Sequence, residues 1–155
     1  MATFQDGCIF CKIVKGESPS ESIYEDDDLI CIKDINPASD HHYLIIPKNH
    51  IANAKELKLE DEPLLIKKNY CKFTDIITVD KIVDTVEVVA AQQGLDLGST
   101  RTGFHWPPFN TVNHLHLHVI YPVENMNFLK RQMFRPNSLW FVSTDYVKSR
   151  FNVAS

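Results

Sequence analysis

Between positions 114 and 120 the chain reads His114-Leu115-His116-Leu117-His118-Val119-Ile120, and this strict alternation constrains the fold more than any other feature. Residues two apart along a strand project from the same face. His114, His116 and His118 therefore share one face, and Leu115, Leu117 and Val119 share the other. One face supplies core and the other a reactive surface. Pro122 lacks an N–H for the ladder, which sets the end of a strand running from about Leu115 to Tyr121.

The remaining patterns supply elements for this strand to pack against. Leu29-Ile30-Cys31-Ile32 and Tyr43-Leu44-Ile45-Ile46 are short apolar runs separated by a turn from Asp34 to Ser39 that contains Pro37. They read as an antiparallel pair. Ile9 to Val14 fits a short helix or a strand, ended by Gly16 to Pro19. Ile66, Tyr70, Phe73 and Ile77, followed by Val79, Val83, Val86 and Ala90, recur with helical spacing. The spacing predicts a helix from about 62 to 92, either continuous or broken near Thr78 to Asp80, with Gly94 as its stop signal. Its apolar stripe packs on a sheet. Gly103 to Phe109 reads as a loop, and Leu139 to Val142 as a last strand. The expected class is α+β, an antiparallel sheet of about five strands with a long helix packed on it. No linker or repeat divides the sequence, so residues 1–155 form one domain, with a core over about 8–142 and a tail over 143–155.

Composition narrows the partners. The chain has 155 residues, 44% of them hydrophobic, enough to bury a core without staples. Its net charge of -4 disfavours a long phosphate-backbone footprint but leaves room for a local anion pocket. No extended nucleic-acid interaction is expected. Cys8, Cys11, Cys31 and Cys71 are too scattered for a secreted disulfide framework. The N-terminal residues lack a signal-peptide pattern, no stretch approaches ~20 apolar residues, and lipidation motifs are missing at both ends. The expectation is an unanchored protein of the cytoplasm, with the nucleus as a second location.

Three alternating imidazoles admit three readings: half-buried polar residues, a metal site, or an imidazole nucleophile with supporting partners. Side chains two and four residues apart on a strand stand roughly 7 and 13 Å apart, so the outer pair closes on one ion only with distortion. A nucleophilic central histidine fits that spacing better, because only one ring must touch the substrate. The chemistry this suits is displacement at phosphorus through a covalent intermediate. Amides of the loop from Phe109 to Asn113 and the Thr111 hydroxyl are candidate phosphate donors. No glycine-rich phosphate loop with a lysine occurs, and no magnesium requirement is expected.

The seven-residue pattern resembles the His-x-His-x-His-x-x motif of the histidine triad superfamily, and the match is complete. The resemblance extends through Ile32-Lys33-Asp34-Ile35-Asn36-Pro37, His41 to His50, and Gly103-Phe104-His105-Trp106-Pro107-Pro108-Phe109. It is strongest to an adenosine phosphoramidase branch. It implies hydrolysis of adenosine 5'-monophosphoramidates or aminoacyl adenylates to AMP through an adenylyl-histidine. In that scheme His116 is the nucleophile, His118 lies beside the α-phosphate, His114 supports the geometry, and His50 completes the histidine set. Thr111 stands where the family places a phosphate-touching serine, Ser99 near a family asparagine, and Asp34 and Ile35 where ribose and base are held. Purine nucleotides and a homodimer follow from the same resemblance.

The resemblance also completes the Cys8-x2-Cys11 pair, which alone is half a metal site. Related proteins add histidines mapping to His50 and His114, giving Cys8, Cys11, His50 and His114 as a structural zinc set. Cys31 and Cys71 read as core cysteines. His41, His42 and His105 read as loop or supporting residues rather than catalysts. Trp106 reads as packing, and Trp140 and Phe141 as core or interface. Competing functions are dinucleoside polyphosphate hydrolysis, a non-enzymatic nucleotide-binding adaptor and, ranked low for want of a basic extension, deadenylation of nicked DNA.

Overall fold

The computed structural model describes residues 2–57 and 74–150, with side chains from Val79 onward in the second span. The predicted start of the long helix, with Ile66, Tyr70, Cys71, Phe73 and the Ile77 side chain, lies outside the described residues, as does the end of the tail.

The elements run α1 (Ile9–Val14), β1 (Ser22–Glu25), β2 (Leu29–Lys33), β3 (His41–Pro47), α2 (Thr74–Gln93), β4 (Arg101–His105), β5 (Leu117–Tyr121), α3 (Phe128–Met133), β6 (Phe141–Val142) and α4 (Thr144–Ser149). The strands form one six-stranded sheet in the order β1-β2-β3-β5-β4-β6, with every pairing antiparallel. The α+β architecture matches the sequence expectation. The two apolar runs pair as expected, with Cys31 opposite Ile45 and Leu29 opposite Pro47.

Those runs are continuous rather than alternating because the sheet is covered on both faces. Toward α2 lie Leu29, Cys31, Tyr43, Ile45, Leu117 and Val119, packed with Val79, Ile82, Val86 and Val89. Toward α1 lie Ile30, Ile32, Leu44 and Ile46, packed with Phe10. On β5 the alternation places Leu117 and Val119 in the α2 core, while Ile120 joins Phe134 and Phe141 in a third cluster. Gly94 ends α2 with φ of 69°, and the Leu95 N–H returns to the Ala90 carbonyl at 2.9 Å, a left-handed stop that glycine adopts without steric cost.

Ile9–Val14, for which the sequence allowed a helix or a strand, is helical, its first turn capped by Cys8. Four boundaries differ from the sequence expectation. β1 and β4 were not legible: β1 is short and half polar, and Gly103, read as loop, is a strand residue opposite His118. A Cβ at Gly103 would stand 2.5 Å from the Phe141 ring and 2.6 Å from the Val142 carbonyl, so glycine there is what lets β6 approach β4. The last strand contracts to Phe141–Val142. The histidine strand begins at Leu117 rather than Leu115, because the Leu115 N–H goes to the Ile51 carbonyl at 2.6 Å.

Candidate active site and metal centre

That early departure from the ladder divides the histidines into two groups. His114, still outside the strand, turns toward α1. Its Nδ1 stands 3.3 Å from Cys8 Sγ, 3.6 Å from Cys11 Sγ and 3.2 Å from His50 Nδ1. His50 Nδ1 is in turn 3.3 Å from Cys11 Sγ. The four ligand atoms lie within 4.8 Å of one another. A tetrahedral ion bound at ~2.0–2.3 Å spaces its ligands about 3.3–3.8 Å apart, so the cluster has the donor set and spacing for one metal ion. The hydrogen bonds around the four residues suit an ion as well. His114 Nε2 donates to the Pro47 carbonyl at 2.8 Å, which leaves its Nδ1 lone pair facing the thiols. Backbone N–H groups of Cys11 and Gln5 donate to Cys8 Sγ and Cys11 Sγ, which favours thiolates. Without an ion, burial pushes the Cys11 thiol up and the His50 imidazole down.

His50 is thereby placed with the cysteines. That agrees with its reading as a zinc ligand but not with a place beside His116 and His118; the rings hydrogen-bonded to His118 are His42 and His105, which read from the sequence as loop or supporting residues. His118 Nδ1 is 2.9 Å from His42 Nε2, and His118 Nε2 is 3.1 Å from His105 Nδ1. The signal for both was strand register: His42, the second residue of β3, stands two positions from Leu44, the partner of His118, and His105 ends β4 two positions after Gly103. His41 points elsewhere, to the Tyr43 hydroxyl.

One backbone N–H sets the direction of the protons along this chain. The Ala38 N–H donates to His42 Nδ1 at 3.0 Å, so His42 carries its proton on Nε2 and donates to His118 Nδ1. His118 then carries its proton on Nε2 and donates to His105 Nδ1. His105, accepting at Nδ1, carries its own proton on Nε2. Burial holds the rings neutral: His42 and His105 are lowered to about 4, and His118 well below the usual imidazole value. Asp34 Oδ2 approaches His42 Nε2 at 3.5 Å. Asp34, His42 and His118 also group within ligand range, but 2.9 Å between the two imidazole nitrogens is a hydrogen bond and is shorter than the roughly 3.3 Å edge of a metal polyhedron.

His116 lies between the two groups. Its Nδ1 donates to the His114 carbonyl at 2.6 Å, leaving the Nε2 lone pair free. Burial is the largest influence on its pKa and lowers it, so the ring is the neutral, nucleophilic form at pH 7. The Phe10 ring edge lies against it at 5.1 Å. His116 and His118 line a cleft of about 570 Å³ with Asp34, Ile35 and Thr111 on its walls, within the size range of small-molecule sites. Ile35 is 92% exposed at this cleft, an apolar side chain available to cover a planar ligand. Asp34 Oδ1 accepts the Asn36 N–H at 2.8 Å, which fixes the carboxylate at the cleft wall.

Ser99 does not reach this cleft. It sits in a short helical turn, Leu97–Ser99, before β4, and lines a separate surface depression with Arg101, Glu124 and Pro136. The position near the histidines is held by His105, the last residue of the strand that follows. Trp106 packs as expected, with the Arg150 guanidinium 5.1 Å from its ring, and Phe141 is core. Cys31 is a core cysteine, its thiol pushed up to about 12 by burial.

A histidine with a free ring nitrogen at a cleft of this size, in a run of alternating histidines that leads into a central antiparallel strand, defines a histidine triad protein. Residues 7–134 match the family model described as scavenger mRNA decapping enzyme C-term binding, and the chain belongs to this family. It is 41% identical to the adenosine 5'-monophosphoramidase HINT3 of Xenopus tropicalis over 144 residues, covering 92% of this chain and 86% of that protein. Identity to the adenosine 5'-monophosphoramidase HINT3 of Mus musculus is 34%, over 93% of this chain and 81% of that one. The bifunctional adenosine 5'-phosphosulfate phosphorylase/adenylylsulfatase HINT4 of Arabidopsis thaliana is 36% identical, over 76% and 72% of the two chains. Among solved structures, a HIT family hydrolase from Clostridium thermocellum aligns with a TM-score of 0.60 at 37% identity, covering 76% of this chain and 91% of that one. A histidine triad protein from Clostridium difficile aligns with a TM-score of 0.64 at 28% identity, covering 76% and 92%.

Proposed function

We propose that the protein hydrolyses adenosine 5'-monophosphoramidates and aminoacyl adenylates to AMP through an adenylyl-His116 intermediate. The observation that carries this reading is the free Nε2 of a neutral His116 at the cleft, with Nδ1 already committed to the His114 carbonyl. The named activity of the two HINT3 relatives supports it. In the first step Nε2 bonds to the α-phosphorus, the phosphorus–nitrogen bond breaks, and the amine leaves with a proton from the site. In the second, water bonds to phosphorus, the phosphorus–imidazole bond breaks, and AMP leaves with His116 neutral again. The two steps divide one difficult displacement. Thr111 offers a hydroxyl to the phosphate, Asp34 a carboxylate to the ribose hydroxyls, and Ile35 an apolar surface to the purine.

Cys8, Cys11, His50 and His114 hold a structural zinc in this proposal, supported by their mixed sulfur and nitrogen donors and spacing. When bound, zinc ties α1 to the segment that leads into His116. No magnesium is required. The active form is a homodimer, as the family resemblance implies, working in the cytosol and nucleus, where reduced cysteines persist. No described helix is long and apolar enough to cross a membrane.

Turnover of an adenosine 5'-phosphoramidate by wild type and His116→Ala, with AMP release followed directly, tests the activity. Abolished turnover with surviving AMP binding is the expected result; equal turnover removes His116 as nucleophile. The plant relative's name makes adenosine 5'-phosphosulfate the informative second substrate, and a diadenosine polyphosphate the third. Preference for either over the phosphoramidate replaces the leaving group in this scheme while keeping its nucleophile. A wild type that binds AMP and cleaves none of these is an adaptor.

A further inference from the structure

His105 is not needed for packing alone. It lies against Phe134 at 5.0 Å and Phe141 at 5.2 Å, ring to ring, surroundings that a phenylalanine would satisfy. What the imidazole adds is an acceptor on one side and a donor on the other. We infer that His105 is a positioning residue that fixes the tautomer and seat of His118 by accepting its Nε2 proton.

The argument follows the direction of the protons. An amide N–H can only donate, so Ala38 forces His42 to offer its Nε2 proton to His118. The opposite tautomer of His118 would face that proton with another, two donors 2.9 Å apart. His118 is thus left with a buried Nε2–H, and His105 Nδ1 is the acceptor 3.1 Å away. A neutral His105 accepts at Nδ1 with its own proton on Nε2. Three rings and one backbone group form one directional chain. Without the acceptor, a buried donor is left unpaired, and His118 must rotate or change tautomer. His118 forms the cleft wall 4.9 Å, ring to ring, from His116, so any rotation changes the surface against which the reacting phosphate sits. The catalytic consequence rests on the proposed attack by His116; the tautomer assignment does not.

Two substitutions separate the nitrogen from the packing. His105→Phe keeps the aromatic contacts and removes the acceptor. His105→Asn sacrifices those contacts but places Oδ1 close to where Nδ1 stood. Ring nitrogen chemical shifts of labelled histidines report the tautomers directly, without substrate. In wild type His42 and His118 should both appear as the Nε2–H form. In His105→Phe the His118 signals should move to the other tautomer or to an average. Its kcat for adenosine 5'-phosphoramidate should fall about 10- to 100-fold, the scale of one unpaired buried donor, with KM little changed. His105→Asn should retain the His118 tautomer and recover most of kcat. An unchanged His118 tautomer in His105→Phe overturns the inference, as does equal impairment of the Phe and Asn variants with the tautomer preserved. A wild type inactive on phosphoramidates would refute the proposed reaction while leaving the nitrogen shifts to decide the role of His105.

Discussion

The Nδ1–H of His116 donates to the carbonyl of His114 at 2.6 Å. His114 thereby connects the two centres, since its ring faces Cys8 and Cys11 while its backbone oxygen holds the ring of His116, the proposed nucleophile. A displaced His114 would carry that oxygen with it. The double variant Cys8→Ser, Cys11→Ser should lose zinc by elemental analysis and lose turnover on the order of 10- to 100-fold, the usual cost of removing support behind a reactive group. Native turnover in a variant verified to be metal-free would show that the cluster serves stability alone.

Acid should destabilise the fold through the histidine chain before carboxylates titrate. His42 and His105 are held at about 4 by burial, against roughly 6.5 in the unfolded chain. Between those values the unfolded state binds more protons. Their stabilisation is therefore complete above about pH 6.5 and is lost as pH falls through the folded values near 4. Each histidine adds a slope of up to about 1.4 kcal/mol per pH unit. Urea midpoints at fixed ionic strength should be flat above neutrality and fall from pH 6.5 to 5. The His105→Asn variant should show a shallower fall than wild type, and identical slopes would remove His105 from the account.

The sequence carried the central strand and its chemistry further than it carried the neighbours of that strand. Alternation at 114–120 separates core leucines from reactive histidines because strand geometry has a period of two. It does not say where the strand begins. One hydrogen bond from Leu115 to Ile51 delays the ladder and sends His114 to the cysteines. His50 reads from the sequence both as a member of the histidine set and as a zinc ligand, because sequence distance cannot show which way a loop histidine faces; it faces the cysteines. His42 and His105 read as loop or supporting residues, but which ring they support depends on cross-strand register, which pairs β3 and β4 with β5 over long separations. Ser99 was misplaced for the same reason: β4 ends at His105 six residues later, and only the last side chain of that strand reaches His118.

Arg150 ties α4 to the segment after β3. Its Nη1 donates to the Ala54 carbonyl at 3.1 Å and its Nη2 to the Lys55 carbonyl at 3.3 Å, with the guanidinium over Trp106. The side chain is exposed, so water offsets much of each contact. Arg150→Ala should lower stability by about 1 kcal/mol. Arg150→Lys should recover little of it, because an ammonium cannot form the same fork. Urea denaturation of the three proteins measures both differences, and a lysine variant equal to wild type would reduce the fork to a simple charge.

Gly103 couples strand packing to the histidine chain. It pairs with His118 on one side, and its missing Cβ leaves room for Phe141 and the Val142 carbonyl on the other. An added methyl would stand 2.6 Å from that carbonyl oxygen, which cannot rotate away as a side chain does. β6 must therefore move as a unit, taking with it the Phe141 ring that borders His105 and His118. Gly103→Ala should destabilise the fold by about 1–3 kcal/mol, the usual cost of overpacking. It should also lower kcat in the folded fraction, since the displaced ring supports the seat of His118. Unfolding midpoints and turnover per folded molecule separate the two effects, and a variant with native values in both would show that β6 yields without cost.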